Sequence, residues 1–217
     1  MINILGIESS SKQCSIAINT DEGMHESSSV INNDSVTSLP IMAEEMINKL
    51  SLTFKKLDGI AVSMGPGSFT GLRIGLSYAK GLALSLNIPI IPISTFDLML
   101  LPKVKYLKGD LITVIIHSHG STVYQLKYIL KNNSYVSAED PSSISIQELS
   151  SKNYGMILYH GPEHLIDSIN TLSSSVTLVT PSVRDMLEIG MKNFDLLKTK
   201  SINNLVPNYV GSFNTGK

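Results

Sequence analysis

One stretch of this sequence limits its fold more than any other: Gly65-Pro66-Gly67-Ser68-Phe69-Thr70-Gly71-Leu72-Arg73-Ile74-Gly75. It follows the short apolar run Gly59–Ser63 and leads into an apolar helical pattern that continues to Leu86. Pro66 fixes one backbone φ angle, and the glycines beside it allow angles that other residues avoid. Ser68 is placed to cap the first free N–H groups of the helix. The stretch therefore predicts a strand, a glycine-rich turn and the start of a helix.

Small residues recur along the predicted helix at every fourth position: Gly71, Gly75, Ala79 and Ala83. A glycine inside a helix costs on the order of 1 kcal/mol relative to alanine. Close approach of another backbone is the usual reason for such glycines. The stretch is accordingly either a ligand-facing turn or a packing surface, and the pattern alone leaves both interpretations open.

Composition argues against several classes of protein. The 217 residues carry a net charge of −1, with lysine and arginine scattered, whereas a stand-alone nucleic-acid binder usually has a basic face. The single cysteine, Cys14, argues against a disulfide framework and a thiolate metal site. The N-terminus lacks the features of a signal peptide, and no apolar run reaches the roughly 18 residues of a membrane span. We therefore expect a cytoplasmic protein that makes no membrane contact.

Apolar periodicity predicts a repeated order of elements. In the first half, three strands are followed by a helix that starts near Asn32–Ser35, a strand, the helix to Leu86 and a further strand. The second half repeats this plan, with a helix predicted over Ser143–Ser151. A duplicated mixed sheet flanked by helices is the plan of actin-like (ASKHA, RNase H-like) α/β folds with two lobes. We expect a first lobe over 1–101, a second lobe over 102–200, and a tail over 201–217 that returns to the first lobe or trails off.

The turn after the first strand, Glu8–Gln13, would lie along a phosphate chain in an actin-like fold. It lacks a glycine and presents Lys12, so we expect at most a vestigial phosphate turn formed by Glu8, Ser9 and Ser10. The glycines of 65–71 miss the dinucleotide-binding fingerprint by one residue. The sequence thus predicts no cofactor bound by this chain itself.

Four histidines form two suggestive pairs. His160 and His164 are four residues apart, but Gly161-Pro162 intervene, so the pair does not share a helical face. His117 and His119 alternate at a predicted strand end without a nearby carboxylate cluster. We predict no metal site and no catalytic residues, and the role of these histidines stays open.

Several of these segments together resemble one family. They are Ile4–Ser10, Cys14–Ala17, the long segment GPGSFTGLRIGLSYAKGLA (65–83) and Ile90–Thr95. They are closely similar to TsaB, also called YeaZ, a non-catalytic paralogue of the tRNA N6-threonylcarbamoyladenosine transferase TsaD. The resemblance covers about residues 1–100, and beyond them Pro207-x-Tyr209 matches the usual near-terminal motif.

The resemblance implies a scaffold rather than an enzyme. In TsaD, two histidines four residues apart hold the catalytic metal, and by register their places are taken here by Thr95 and Met99. A hydroxyl and a thioether do not make a plausible metal site together. The resemblance therefore implies pairing with a TsaD-type transferase that modifies A37 of ANN-decoding tRNAs, and assembly with a TsaE-type ATPase. ATP and metal would belong to these partners, and tRNA would be contacted indirectly.

The predicted partner interface lies on the helices Val36–Leu50 and Ser68–Leu86. Its proposed members are Gly71, Gly75 and Ala79, which would admit the partner's backbone, the flanking Arg73, Tyr78 and Leu82, and Leu39, Met42 and Met46 of the first helix. Two alternatives remain at this point. One is an actin-fold small-molecule kinase or peptidase with its own nucleotide or metal site. The other is a protein that pairs with itself through the same face and has no role in tRNA modification.

Overall fold

A computed structural model describes residues 2–30, 35–107, 109–151, 153–173 and 175–211. The described chain forms two compact units. Unit 1 contains the residues up to Leu98 together with Pro181–Asn208, and unit 2 contains Met99–Thr180 and the residues from Tyr209 onward. No helix among the described residues is long and apolar enough to cross a membrane.

Unit 1 is built on a five-stranded mixed sheet in the order β3-β2-β1-β4-β5. Its strands are β1 (Ile4–Glu8), β2 (Gln13–Thr20), β3 (Gly23–Val30), β4 (Gly59–Ser63) and β5 (Ile90–Ile93). The first three form an antiparallel meander, whereas β1, β4 and β5 are parallel. Every residue of β1 and β4 is buried, because helices cover both faces of the sheet.

The helices of the chain are α1 (Ser35–Lys49), α2 (Phe69–Leu86), α3 (Thr95–Leu100), α4 (Ile166–Asn170), α5 (Val183–Lys192) and α6 (Phe194–Leu197). Helices α1 and α2 pack on one face of the sheet of unit 1, where Leu5 and Ile7 of β1 meet Leu39 and Leu76. The predicted helix start at Asn32–Ser35 lies largely outside the described residues, since 31–34 are among those not described.

Helix α5 covers the opposite face of the same sheet. Its apolar residues Val183, Met186 and Leu187 pack with Ile4 and Ala17. An ion pair between Arg184 Nε and Glu26 Oε2 (2.8 Å) joins α5 to β3. The structure thus groups Pro181–Asn208 with unit 1, whereas the sequence interpretation placed residues 102–200 in the second lobe. The physical reason is that α1 and α2 leave one face of the sheet open, and the apolar stripe of α5 fills it.

Unit 2 repeats the plan of unit 1. Its strands are β6 (Leu111–His117), β7 (Thr122–Lys131), β8 (Ser134–Ser137), β9 (Ser142–Ser145), β10 (Met156–His160) and β11 (Val176–Leu178). They form a sheet in the order β11-β10-β6-β7-β8, with β9 also paired to β7. Strands β6, β10 and β11 are parallel, and β6, β7 and β8 are antiparallel, which confirms the predicted duplication.

The predicted helix over Ser143–Ser151 is wrong. Ser142–Ser145 is a strand, and Ile146–Ser151 forms a short 3₁₀ helix. The local sequence alternates serine with isoleucine, a period of two that is typical of a strand with one buried side. Pairing with β7 satisfies this pattern.

Candidate partner interface

The glycine-rich turn between β4 and α2 packs against the chain's own backbone. Gly65 has a φ of +93°, a conformation that other residues rarely adopt. A Cβ on Gly67 would lie only 2.2 Å from the carbonyl oxygen of Ser10, and the Ser68 N–H donates to that same oxygen at 2.7 Å. The β1–β2 connection therefore packs directly against this turn. The close contact leaves no room for a side chain at position 67, which explains the glycine there.

Ser68 caps α2 as the sequence predicted. Its hydroxyl accepts a hydrogen bond from the Gly71 N–H at 3.2 Å. Ser182 plays the same part at α5, where its hydroxyl accepts from the Asp185 N–H at 3.4 Å. Both helix starts therefore follow from local sequence.

The proposed phosphate turn is buried and already hydrogen-bonded. Glu8, Ser9 and Ser10 are all buried. The Ser10 N–H donates to Glu8 Oε1 at 2.7 Å, and the Ser9 N–H donates to Ser63 Oγ at 3.1 Å. The backbone N–H groups that would bind a phosphate therefore already donate to acceptors of the same chain. One of these acceptors is the Glu8 carboxyl, which occupies the place of an anion.

The small-residue stripe of α2 faces the core of unit 1. Gly71, Gly75 and Ala79 are buried, as is Ala83. A Cβ on Gly75 would lie 2.2 Å from Ser9 Oγ and 3.4 Å from Ile7 Cγ2. The predicted interface role of Gly71, Gly75 and Ala79 is therefore corrected, because the backbone that approaches this stripe belongs to the same chain.

The apolar stripe of α1 is also internal. Leu39, Met42 and Met46 are buried in the same cluster as Leu76 and Ala79. Their spacing of three and four residues is that of a core-facing helix side. These residues are unavailable to a partner, which corrects a second part of the predicted interface.

Arg73, Tyr78 and Leu82 of the predicted set reach the surface. Arg73 is exposed, with its guanidinium carbon 3.5 Å from the centre of the Phe69 ring. Tyr78 and Leu82 are half-buried and touch the core cluster with part of their side chains. Residues of α1 and α2 pack in the same core cluster, so the two helices lie side by side. Burial, followed by the negative charge of Glu44 on α1, raises the pKa of Tyr78.

Sequence reasoning missed the most exposed apolar residues of this region. Ile41 of α1 is 53% exposed and Leu84 of α2 is 60% exposed. Gly81 is exposed as well, and a Cβ placed on it would meet no atom of the described residues within 4 Å, beyond its neighbours along the helix. We define the outer face of α1 and α2 as the residues Ile41, Arg73, Tyr78, Gly81, Leu82 and Leu84. The signal was present in the sequence, since Ile41 and Leu84 fall outside the buried stripes of their helices.

A small cavity adjoins this outer face at the C-terminal half of α2. It has a volume of about 220 Å³ and is lined by Leu84, Lys200, Ser201, Ile202, Asn203 and Asn204. The Lys80 ammonium lies 3.5 Å from the carbonyl oxygen of Asn203. Lys80 and Lys200 therefore bring positive charge to one end of the surface, whereas Glu44 and Glu45 bring negative charge to α1.

Thr95 and Met99 take the places that the resemblance assigned to metal-binding histidines, and the structure shows where they and the chain's own histidines lie. Thr95 and Met99 both lie in α3 and are buried. Among the residues that the structure describes, no group of three or more His, Cys, Asp or Glu side chains is arranged to hold a metal ion. His117 and His160 end strands β6 and β10, and each directs a ring nitrogen at a backbone carbonyl, that of Gly120 and that of Val179. Burial lowers the pKa of His160.

Comparisons with known proteins agree with this architecture. The family model described as "TsaD: tRNA N6-adenosine threonylcarbamoyltransferase" matches residues 29–199. The "tRNA threonylcarbamoyladenosine biosynthesis protein TsaB" of Buchnera aphidicola subsp. Acyrthosiphon pisum is 33% identical over 206 residues, which are 92% of this chain and 91% of that protein.

Solved structures share the fold at lower identity. YeaZ from Pseudomonas aeruginosa has a TM-score of 0.79 at 18% identity, covering 97% of this chain and 100% of its own. An exopolyphosphatase from Cytophaga hutchinsonii has a TM-score of 0.50 at 8% identity, covering 88% and 98%. These likenesses confirm the predicted actin-like fold. Because the TsaD model spans more than half of the sequence and a TsaB relative matches nearly all of it, the chain belongs to the TsaB (YeaZ) family.

Proposed function

We propose that this chain acts in the formation of N6-threonylcarbamoyladenosine in tRNA as a non-catalytic subunit that pairs with a TsaD-type transferase. The pairing surface is the outer face of α1 and α2. The transferase would carry the metal and act on A37 of ANN-decoding tRNAs, and a TsaE-type ATPase would join the assembly. This chain would contact tRNA indirectly and bind no cofactor of its own.

The exposed apolar side chains of the outer face are the observation that carries the proposal. Ile41 and Leu84 are the most exposed large apolar side chains among the described residues of these two helices, whose core-facing stripes are buried. Covering apolar area contributes about 25 cal/mol per Å² to association before the costs of binding are subtracted. An exposed leucine beside a cavity, with an exposed isoleucine on the neighbouring helix, is suited to receive a partner helix.

Gly81 supports the same surface. An exposed glycine inside a helix costs roughly 1 kcal/mol relative to alanine, and beyond its neighbours along the helix no described residue lies within 4 Å of where a Cβ on Gly81 would be. A partner backbone that packs closely on α2 at Gly81 would account for the residue. In this proposal Gly81, rather than Gly75, is the glycine of α2 that admits the partner's backbone.

The charged residues at the outer face indicate which charges a partner should carry. Lys80 and Lys200 flank the α2 end of the surface, and Glu44 and Glu45 belong to α1. A well-matched partner would place acidic side chains near the lysines and basic side chains near the glutamates, because opposite charges across an interface favour the correct register.

The identity of two residues supports a non-catalytic role. The positions that the TsaD resemblance gives to metal-binding histidines hold Thr95 and Met99, whose side chains are weak ligands for a catalytic divalent ion. The transferase chemistry therefore falls to the partner in this proposal.

Co-purification tests the surface. Tagged wild-type chain should retain the TsaD-type subunit of the same organism, whereas Ile41→Arg and Leu84→Arg should lose at least tenfold of it, since each buries a charge against apolar surface. Leu196→Arg is the matched control, because Leu196 is 83% exposed on α6 and lies outside the proposed surface. Retention of the partner by both outer-face variants would reject this interface.

Depletion of the protein tests the function. The threonylcarbamoyladenosine content of bulk tRNA, measured by mass spectrometry, should fall on depletion and recover with the wild-type gene or Leu196→Arg, but not with Leu84→Arg. An unchanged level after depletion would reject the role in tRNA modification. If the purified chain then formed dimers that Leu84→Arg dissociates, self-association would be the function of the surface.

A further inference from the structure

Glu8 is a buried acid that the proposed function does not use. It is the last residue of β1 and is 2% exposed. Its Oε1 atom accepts from the Ser10 N–H at 2.7 Å and from the Ser10 hydroxyl at 2.5 Å. Its Oε2 atom has no hydrogen-bond partner among the described residues.

The surroundings of Glu8 favour the neutral acid. Burial raises its pKa, and the hydrogen bonds from Ser10 oppose that shift only in part. No charged side chain among the described residues contributes to the shift. A carboxylate without a cation beside it in such a place would cost several kcal/mol, so burial favours the protonated form of Glu8.

Within the part of the chain that the structure describes, the elements around Glu8 bring no cation to its carboxyl. Strand β2 contributes Cys14, whose pKa is raised to about 12, chiefly by burial, so the thiol is neutral. Strand β4 contributes the hydroxyl of Ser63. The buried side of α2 carries only uncharged residues, among them Leu72, Gly75 and Leu76.

Glu8 is joined to α2 through the turn that follows β1. Ser10, which donates twice to the Glu8 carboxyl, accepts from the N–H of Ser68, the capping residue of α2. Ser9 Oγ lies against Gly75 in the middle of that helix. The carboxyl therefore fixes the residues on which the N-terminal half of α2 rests.

We propose that Glu8 holds a proton in the native state and that this protonated acid is a pH-sensitive anchor for α2, so that losing the proton loosens the helix and weakens the docking of a partner. The docking half of this inference rests on the proposed function. When the proton leaves to solvent, the new carboxylate must gain water. The turn at Ser9–Ser10 would have to open to admit it, which shifts the supports of Ser68 and Gly75.

The sign of the pH dependence follows from the raised pKa. The stabilising contribution is fully present below the ordinary glutamate pKa of 4.5 and is lost as the pH rises through the folded-state value. In that window the native state binds one proton more than the unfolded state. The folding equilibrium constant then falls by up to tenfold for each pH unit.

Urea unfolding across pH 5 to 9 tests the anchor, with wild type compared to Glu8→Gln and Glu45→Gln. Glutamine keeps the shape of the neutral acid, so Glu8→Gln should lose the decline in stability that wild type shows. Exposed Glu45 on α1 is the control, and its variant should follow wild type. Parallel profiles for all three proteins would overturn the proposal.

Carbon-13 NMR of glutamate-labelled protein gives a second readout if Glu8→Gln folds poorly. One side-chain carboxyl of the wild type should titrate well above 4.5. Titration of every glutamate near its ordinary value would overturn the proposal independently of any variant.

Co-purification with the TsaD-type subunit over the same pH range tests the docking half. Wild type and Glu45→Gln should lose the partner severalfold toward pH 9, and Glu8→Gln should keep it. If stability shows the expected Glu8 dependence but pairing does not, the link from Glu8 to docking is overturned. If the wild type does not bind the transferase subunit at any pH, the proposed function is rejected. The urea and NMR experiments then still test whether protonated Glu8 anchors α2.

Discussion

Two glycines of α2 show how a single residue type serves different purposes in one helix. Gly75 is buried, and its missing Cβ leaves room for Ser9 Oγ and Ile7. Gly81 lies six residues further on and is exposed, and beyond its neighbours along the helix no described residue lies within 4 Å of where its Cβ would be. A sequence pattern records that both positions are small, but it does not record which one faces the interior.

Alanine substitutions at these two glycines should have opposite effects on stability. Gly75→Ala places a methyl group 2.2 Å from Ser9 Oγ, and overpacking of this kind costs about 1–3 kcal/mol. Gly81→Ala adds helix propensity in open space and should stabilise the isolated chain by roughly 0.5–1 kcal/mol. Urea denaturation followed by circular dichroism measures both. Equal effects at the two sites would contradict the assignment of Gly75 to the core.

At the scale of elements, strand and helix positions were largely predictable. Strand β4 at Gly59–Ser63 and the Ser68 cap of α2 match the prediction, because turn chemistry and apolar runs are local signals. The site was less predictable. Periodicity identified Leu39, Met42 and Met46 as an apolar helix side, but it could not say whether that side meets the chain's own sheet or a partner. The exposed Ile41 and Leu84 are recognised only once the buried stripes are known.

Removal of the α2 cap should weaken the helix by a known amount. Ser68→Ala deletes the acceptor for the Gly71 N–H, and loss of such a cap costs about 1 kcal/mol. Thermal unfolding should show this decrease, and amide exchange should be faster in the first turn of α2 than elsewhere in the helix. Ser77→Ala, at an exposed position in the same helix, is the control and should leave the exchange of that turn unchanged.

At the scale of the molecule, the chain closes unit 1 with residues that come late in the sequence. Amphipathic character indicates that α5 buries one face, but it does not name the sheet that receives it. The sheet of unit 1 presents Ile4, Ala17 and Ala61 on the side where α5 packs. Thr199 adds a backbone bridge to Ile90, and the Asn208 N–H donates to the Met64 carbonyl at 2.6 Å. These long-range contacts explain why the division into 102–200 and 201–217 differs from the units observed.

A chain truncated after Thr180 should fail to form a stable unit 1. The truncation removes the packing of Val183, Met186 and Leu187, and loss of even one such buried side chain costs about 2–5 kcal/mol. We expect exposed apolar surface, detected by dye binding, and loss of cooperative unfolding. Adding back a separate peptide of residues 181–211 should restore part of the folded signal, whereas cooperative unfolding of the truncated chain alone would contradict this account.

The late position of α5 also has a consequence during synthesis. A nascent chain leaves the ribosome from its N-terminus at about 5–20 residues per second, so the strands of unit 1 emerge long before Val183–Lys192. Through that interval the side of the sheet bearing Ile4, Ala17 and Ala61 lacks its cover. Ribosome-associated chaperones that shield apolar surface would find their substrate there. This interval ends only when α5 has been translated and has left the ribosome.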